Sequence, residues 1–251
     1  MQKPDTLDMK ALARAQNYMG AVAWTTIAFA LVVVSAYALT IILALQGTLA
    51  LWLATPLVAV LTYLSYTILQ ESAHGSISGS QRQMRWLNEL LGYAAAWILM
   101  MPLTAHRHEH LAHHRHTNDP DDDPDFHVSE IRRSLLKACT GTLRIYVEQY
   151  RYYLGHRWQR GPARQNVNLC LEVAAIFVPR LALLAAGFGT EVVCLFVLGW
   201  LAGVILTLYL FAYLVHRPHE AVGRYVDTST VIAPTPFNGI VTWLWAVSYT
   251  H

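Results

Sequence analysis

An all-α membrane protein with four transmembrane helices is the fold class this sequence predicts, and three observations carry it. Apolar types make up 55% of the 251 residues and charged types only 14%, against roughly 25% charged in soluble domains. No Asp, Glu, Lys or Arg occurs from Ala15 to Gln70, a run of 56 residues, and a second charge-free run of 25 residues covers Val192 to His216. The mean hydropathy is +0.32. Such a composition excludes an ordinary soluble domain, a disordered chain, a collagen and a disulfide scaffold. A net charge of +2 and a pI near 8.4 do not describe the concentrated basic face of a nucleic-acid binder, so no nucleic acid is expected as a partner.

The elements follow in order. A spanning helix needs about 20 apolar residues, so the first run holds two helices and a turn. Gln46, Gly47 and Thr48 supply the turn, which places the spans near Tyr18–Leu45 and Leu49–Leu69. The first apolar stretch is about 28 residues long, well beyond the 7–15 of a cleaved secretory signal, and is read as a permanent span. A third span is placed near Leu169–Phe188, interrupted by Arg180. A mid-membrane Arg costs a few kcal/mol; it therefore snorkels, faces protein, or belongs to a shallow helix. Gly187, Gly189 and Thr190 turn the chain into a fourth span over 192–215.

Lys3, Lys10 and Arg14 precede the first span, twelve Lys and Arg lie from Arg82 to Arg164, and Arg217 and Arg224 follow the fourth span. Of 18 basic residues only Arg180 falls outside this set. The positive-inside rule makes that side cytoplasmic, with both termini and nearly all histidines on it. The chain is thus expected to be one membrane unit over 1–251, with a large cytoplasmic segment at 70–168. Within that segment Leu90–Leu103 is too short to span and predicts an interfacial or re-entrant helix, with Trp86 and Trp97 suited to the headgroup region. Ser129–Trp158 has helical periodicity. Its apolar positions are Ile131, Leu135, Leu136, Ala138, Cys139, Leu143 and Val147, and Arg132, Arg133, Lys137, Arg144 and Arg151 give a basic face. This predicts a helix lying on an anionic membrane surface or one packed on the soluble side. Cys139, Cys170 and Cys194 form no CxxC and are expected to be packing residues.

The chemistry lies in the histidines. Six of the 12 fall between His106 and His116. On a helix, residues three and four apart share a face, so His110, His113 and His114 converge, as do His106 and His110. Neutral imidazole is a common nitrogen ligand for iron, zinc and copper. Further histidines sit at membrane boundaries: His74 after the second span, and His216 and His219 after the fourth; His251 ends the chain. Zinc-protease spacing fails, because His108-Glu109 is followed by Ala112 where a histidine is required. The run Asp119, Asp121, Asp122, Asp123, Asp125 lacks the Gly and closing Glu of an EF-hand.

These residues resemble the membrane fatty acid desaturase and hydroxylase superfamily, whose members carry three histidine boxes on the cytoplasmic side of a four-span bundle. The middle box is similar at His110-Leu111-Ala112-His113-His114, as is the text after it, His116-Thr117-Asn118 and Asp123-Pro124-Asp125. The first box looks alike at Glu71, His74, Gly75 and Ser76, with Gln70 where a histidine is usual. His216-Arg217-Pro218 followed by Arg224-Tyr225 is similar to an extra-ligand region of the bacterial and carotenoid-hydroxylase-like branches. His251 stands where the third box would begin, six residues after Trp245, and the sequence is expected to be a C-terminal fragment. The resemblance implies two non-haem irons, with O2 as co-substrate. It implies His74, His110, His113, His114, His216, His219 and His251 as ligands, and Gln70 as a weak ligand or a holder of water. His106, Asn118, Asp123 and Asp125 are expected behind the ligands, since a ligating imidazole usually donates its other N–H to a carboxylate or carbonyl. It also implies a membrane lipid or acyl substrate, a separate ferredoxin- or cytochrome-type electron donor, and a bacterial inner membrane. No Rossmann glycine motif and no iron–sulfur cysteine pattern supplies a donor within the chain.

Desaturation of fatty acyl chains is the first expectation, and hydroxylation of a carotenoid or other lipid the alternative. A non-catalytic metal-binding membrane protein also stays open, and so does a transporter. Against the transporter, its ligands should lie at mid-bilayer along a path, whereas the first and third spans contain no histidine.

Overall fold

The computed structural model describes residues 20–213, and within them no strand occurs. The helices are α1 (Trp24–Leu45), α2 (Leu51–His74), α3 (Arg85–Leu99), α4 (Leu103–His116), α5 (Leu135–His156), α6 (Ala163–Ala185) and α7 (Gly189–Tyr213). Short 3-10 segments at Arg82–Met84 and Phe126–Arg133 introduce α3 and α5. Helices α1, α2, α6 and α7 are long and apolar enough to cross a membrane, which is the four-span, all-α class the charge-free runs predict.

The span limits shift from the sequence reading, each for a local reason. α2 begins at Leu51 and continues past Leu69 to His74, because nothing breaks it before Gly75. There the chain takes a left-handed conformation (φ 71°) and closes the helix, with Gly75 and Ser76 N–H donating to Ser72 O and Glu71 O at 3.1 Å. α6 starts at Ala163 rather than Leu169, directly after Pro162, whose fixed φ suits a helix entry. Gly187 (φ 95°) makes the turn before α7, while Gly189, expected in that turn, already opens the helix. The periodic stretch beginning at Ser129 becomes a helix only from Leu135, where the Ser134 side chain accepts Lys137 N–H at 3.1 Å as a cap.

Two apolar clusters occupy the two ends of the bundle. One gathers Ile41, Ala44, Ala54, Leu183 and Val192 beside the two short turns. The other gathers Tyr66, Leu69, Ile77, Leu91, Leu103, Tyr146 and Phe211 beside the polar segment. α7 approaches α2 closely through two small residues four apart. A Cβ on Gly203 would meet Ala59 O at 2.5 Å, and one on Gly199 would meet Thr55 O at 3.0 Å. This is the small-xxx-small mode of membrane helix packing.

α3 and α4 form a bent pair against α2. Gly92 lets α3 touch both Ser72 and Leu103, with hypothetical Cβ distances of 2.8 and 2.7 Å. Met100 then reverses the chain with φ 54°. The bend is held by Leu99 O, which accepts Tyr146 Oη–H at 2.5 Å and Trp200 Nε1–H at 2.6 Å. Trp97 is not a headgroup ring, as the sequence suggests, but part of the bundle. It stands edge-on to Tyr37 and Phe196, with centroids 6.1 and 6.4 Å apart. Arg180 explains why: of the three expected fates it faces protein, at 6% exposure. Its guanidinium lies 4.2 Å from the Trp97 ring centre and donates to Trp97 O at 2.8 Å and to Ile176 O. Backbone oxygens and ring faces replace lipid around the charge.

Candidate metal centre

The centre forms where the end of α2 meets the middle of α4. α4 enters after Pro102 with no side-chain cap of its own. Glu172 of α6 supplies one from outside: its carboxylate accepts Thr104 N–H at 3.1 Å and the Thr104 hydroxyl. Arg107 ties the same helix to its neighbours, donating to Glu89 Oε1 at 2.9 Å and to Ser72 O at 3.3 Å. Just past α2 the Ser76 hydroxyl donates to the Glu71 carboxylate and to Glu71 O, which fixes the turn after His74.

With α4 held this way, three imidazoles converge. His110 Nε2 stands 3.0 Å from His74 Nε2 and 3.0 Å from His114 Nε2. One nitrogen from each ring lies within 4.8 Å of the others. A single Nε2 carries either a proton or a lone pair, so His110 cannot donate to both neighbours. A cation between the rings would engage a lone pair from each of the three, and the donor set therefore fits a metal. Burial pushes the His110 pKa well below 6.5, with the neighbouring His106, His114, His74 and His113 adding to the shift. The ring is neutral at ordinary pH, as ligation requires.

His113 does not join this trio. It lies only about 60° from His110 around α4 by helical geometry, but its ring is held by the loop after the helix. Its Nδ1 donates to Asp123 Oδ1 at 2.8 Å, with Asp125 Oδ2 at 4.0 Å. Burial opposes its charged form, but the Asp123 hydrogen bond and the charges of Asp125 and Asp123 outweigh it and leave the pKa above 6.5. With the Nδ1 proton committed to a carboxylate, the lone pair of the neutral ring is on Nε2, the tautomer that a carboxylate partner fixes in carboxylate–histidine pairs. Asp123 also accepts Asn118 N–H at 2.8 Å and Asp125 N–H at 2.9 Å, so one side chain folds the loop and orients the ring. Asn118 takes φ 63° to reach it.

The remaining candidates separate. Gln70 is buried one turn before His74. His106 stacks on His110 with centroids 5.1 Å apart, and burial lowers its pKa to about 4. His108 packs against Tyr153, and His116 is 45% exposed, 4.0 Å from Asp122. His216, His219 and His251 lie outside the described residues.

Sequence reasoning missed Glu109. It is 2% exposed, with Oε2 3.4 Å from His106 Nδ1, and Gln149 Nε2 reaches the same nitrogen at 3.3 Å. Burial raises the pKa of Glu109, and burial together with the Glu109 charge raises that of Asp125 further. Two close buried carboxylates cannot both ionise, so the pair keeps a proton. The available signal was its place three residues after His106 and one before His110; the zinc-protease comparison used it only to reject a register.

A groove of about 320 Å³ opens between α3 and α6, walled by Tyr93, Ala96, Trp97, Leu171 and Ile176, with Asn168 and Glu172 as its polar members. Because Glu172 also binds Thr104, the groove ends beside the start of the histidine helix.

The sequence pattern of the fatty acid desaturase family matches residues 46–248. The sn-1 oleoyl-lipid 12-desaturase of Anabaena variabilis is 24% identical over 136 residues, which is 50% of this chain and 39% of that protein. The match thus spans well under half of that relative's length. No solved structure matches this chain.

Proposed function

The chain belongs to the fatty acid desaturase family, and from that premise we propose that it is an O2-dependent lipid desaturase acting on acyl chains in the bilayer. The observation that carries this reading is the meeting of His74, His110 and His114 through one nitrogen each. His74, His110 and His114 would hold one iron, and His113 would serve a second. His216, His219 and His251 complete the proposed ligand set from outside the described residues. When bound, the irons supply O2 activation and removal of hydrogen from an unactivated C–H bond.

The chain's own side chains do the rest. Asp123 holds the His113 proton on Nδ1 and keeps the ring turned. Glu172 fixes the start of α4, and with it the histidine register. The α3–α6 groove is apolar along most of its wall and runs along the span α6, which suits an acyl chain that arrives from the bilayer. We place the histidines on the cytoplasmic side, following the Lys and Arg distribution, where a separate electron-donor protein has access. A bacterial inner membrane is the proposed location. Hydroxylation of a carotenoid or other lipid uses the same centre, and product analysis separates the two reactions.

The test is metal content and product in one preparation. The protein purified from membranes, with any residues that follow His251 in its gene restored, should contain iron and form new double bonds in supplied lipids. Zinc in place of iron, or iron with no oxidised lipid, overturns the reading.

A further inference from the structure

Helix α5 carries an arrangement that the proposed reaction does not use. Its inner face, Ala138, Thr142, Ile145, Gln149 and Tyr153, is buried. Its outer face is apolar as well. Leu136, Leu143, Val147 and Leu154 are 73, 50, 62 and 51% exposed, and their spacing stacks them in one line along the helix. Beside that line runs a second. Lys137, Arg144 and Arg151 recur every seven residues and are all exposed, which sets them in a row on one flank of the stripe. Glu148 is the one acid in α5, and it accepts Arg151 Nη1–H at 3.2 Å.

The inner face shows where the helix lies. Tyr146 packs on Trp200 of the span α7 at 5.0 Å, and Tyr153 clusters with Leu169 of the span α6. α5 therefore sits against the membrane-crossing helices, and its outer face meets whatever surrounds them. An apolar stripe flanked by a row of cations is the surface of a helix lying in the bilayer interface. Its side chains enter the acyl region while its cations reach the phosphate plane. We propose that α5 is embedded in the leaflet on the histidine side and that Lys137, Arg144 and Arg151 bind the phosphates of anionic glycerophospholipids. Charge complementarity selects this occupant over a second copy of the chain, which would bring the same cationic row against itself.

The test uses the full chain in lipid nanodiscs, with Cys139, Cys170 and Cys194 replaced and a fluorophore placed at Val147→Cys. Brominated acyl chains should quench the probe more than aqueous iodide does. Native mass spectrometry should show phosphatidylglycerol retained over phosphatidylcholine. In Lys137→Gln/Arg144→Gln/Arg151→Gln the preference should fall by roughly fivefold per cation removed, with the melting temperature unchanged. Stronger quenching by iodide overturns the proposal. So does shielding from both quenchers that is relieved on dissociating a dimer or on deleting residues 214–251. Unchanged phosphatidylglycerol retention in the triple variant overturns the role of the cations.

Discussion

At the scale of the residue, the centre turns on which nitrogen carries a proton. His110 Nε2 faces two other Nε2 atoms at 3.0 Å. His110→Ala should therefore abolish metal loading, measured by mass spectrometry of the purified protein, whereas His108→Ala, outside the trio, should leave it intact. Asp123→Asn keeps the shape but weakens the acceptor for His113. Metal affinity should drop about 10–100-fold, the usual effect of losing a carboxylate behind a ligating imidazole, read from competition with a chelator. The Glu109–Asp125 pair sets a pH dependence. Raised carboxyl pKa values mean that the folded state holds a proton the unfolded chain releases near 4.5. Its contribution to stability is present below that value and is lost as pH rises through the pair's raised range. His106 has the opposite sign, but only between about 4 and 6.5. Above pH 6.5 the metal-free protein should melt progressively lower as pH rises. Glu109→Gln should flatten that decline, leaving only the part due to His113, whose pKa is also raised.

At the scale of the element, two contacts decide whether α4 arrives in register. Glu172 caps it across 68 positions of sequence. Glu172→Ala should destabilise the protein by about 1 kcal/mol, the usual loss for a helix cap, and should lower metal loading as α4 frays. A Gln at the same position, still able to accept from Thr104, should retain most of both. Gly203 of α7 lies hard against α2, where a Cβ would meet Ala59 O at 2.5 Å. Gly203→Val drives a side chain into Ala59 O and should destabilise by about 1–3 kcal/mol, seen as a lower melting temperature in detergent. The outer face of α5 shows the limit of periodicity at this scale. Of the positions the sequence marks as apolar at helical spacing, Ala138 is buried but Leu135, Leu136, Leu143 and Val147 are exposed. Gly141, Thr142, Ile145, Tyr146, Gln149 and Tyr153 are buried with Ala138, because this face meets α4 and α7, while leucines can stay outside if lipid receives them.

At the scale of the molecule, topology is the prediction. The turns at 46–50 and 186–188 contain no Lys or Arg, and the connection from 75 to 162 contains eleven. A periplasmic reporter inserted after Thr48 or after Thr190 should be active, and one inserted within 119–122 should be silent. The inverse pattern would invert the bundle. The four spans were legible because a length requirement and charge exclusion act on the chain locally. The limits of α2 were not, since Gln70, Glu71 and Ser72 look like the end of a span. They remain helical because α3 and α4 bury them.

The sequence alone determined the class, the number of spans, the grouping of the basic residues outside the two short turns, and the residue types able to hold a metal. Each of these depends on composition or on spacing within one segment. It placed His110, His113 and His114 on one face but could not divide them. His113 is drawn off by Asp123, ten residues away, and the vacant place beside His110 and His114 is taken by His74, 36 residues away. Tertiary structure also decided that Arg180 is enclosed by Trp97 and Phe196 and that Glu109 is buried against His106. Helical period is a property of one segment, but the partner of a buried polar group is whichever atom packing brings within about 3 Å, and that is set by how α2, α4 and α6 meet.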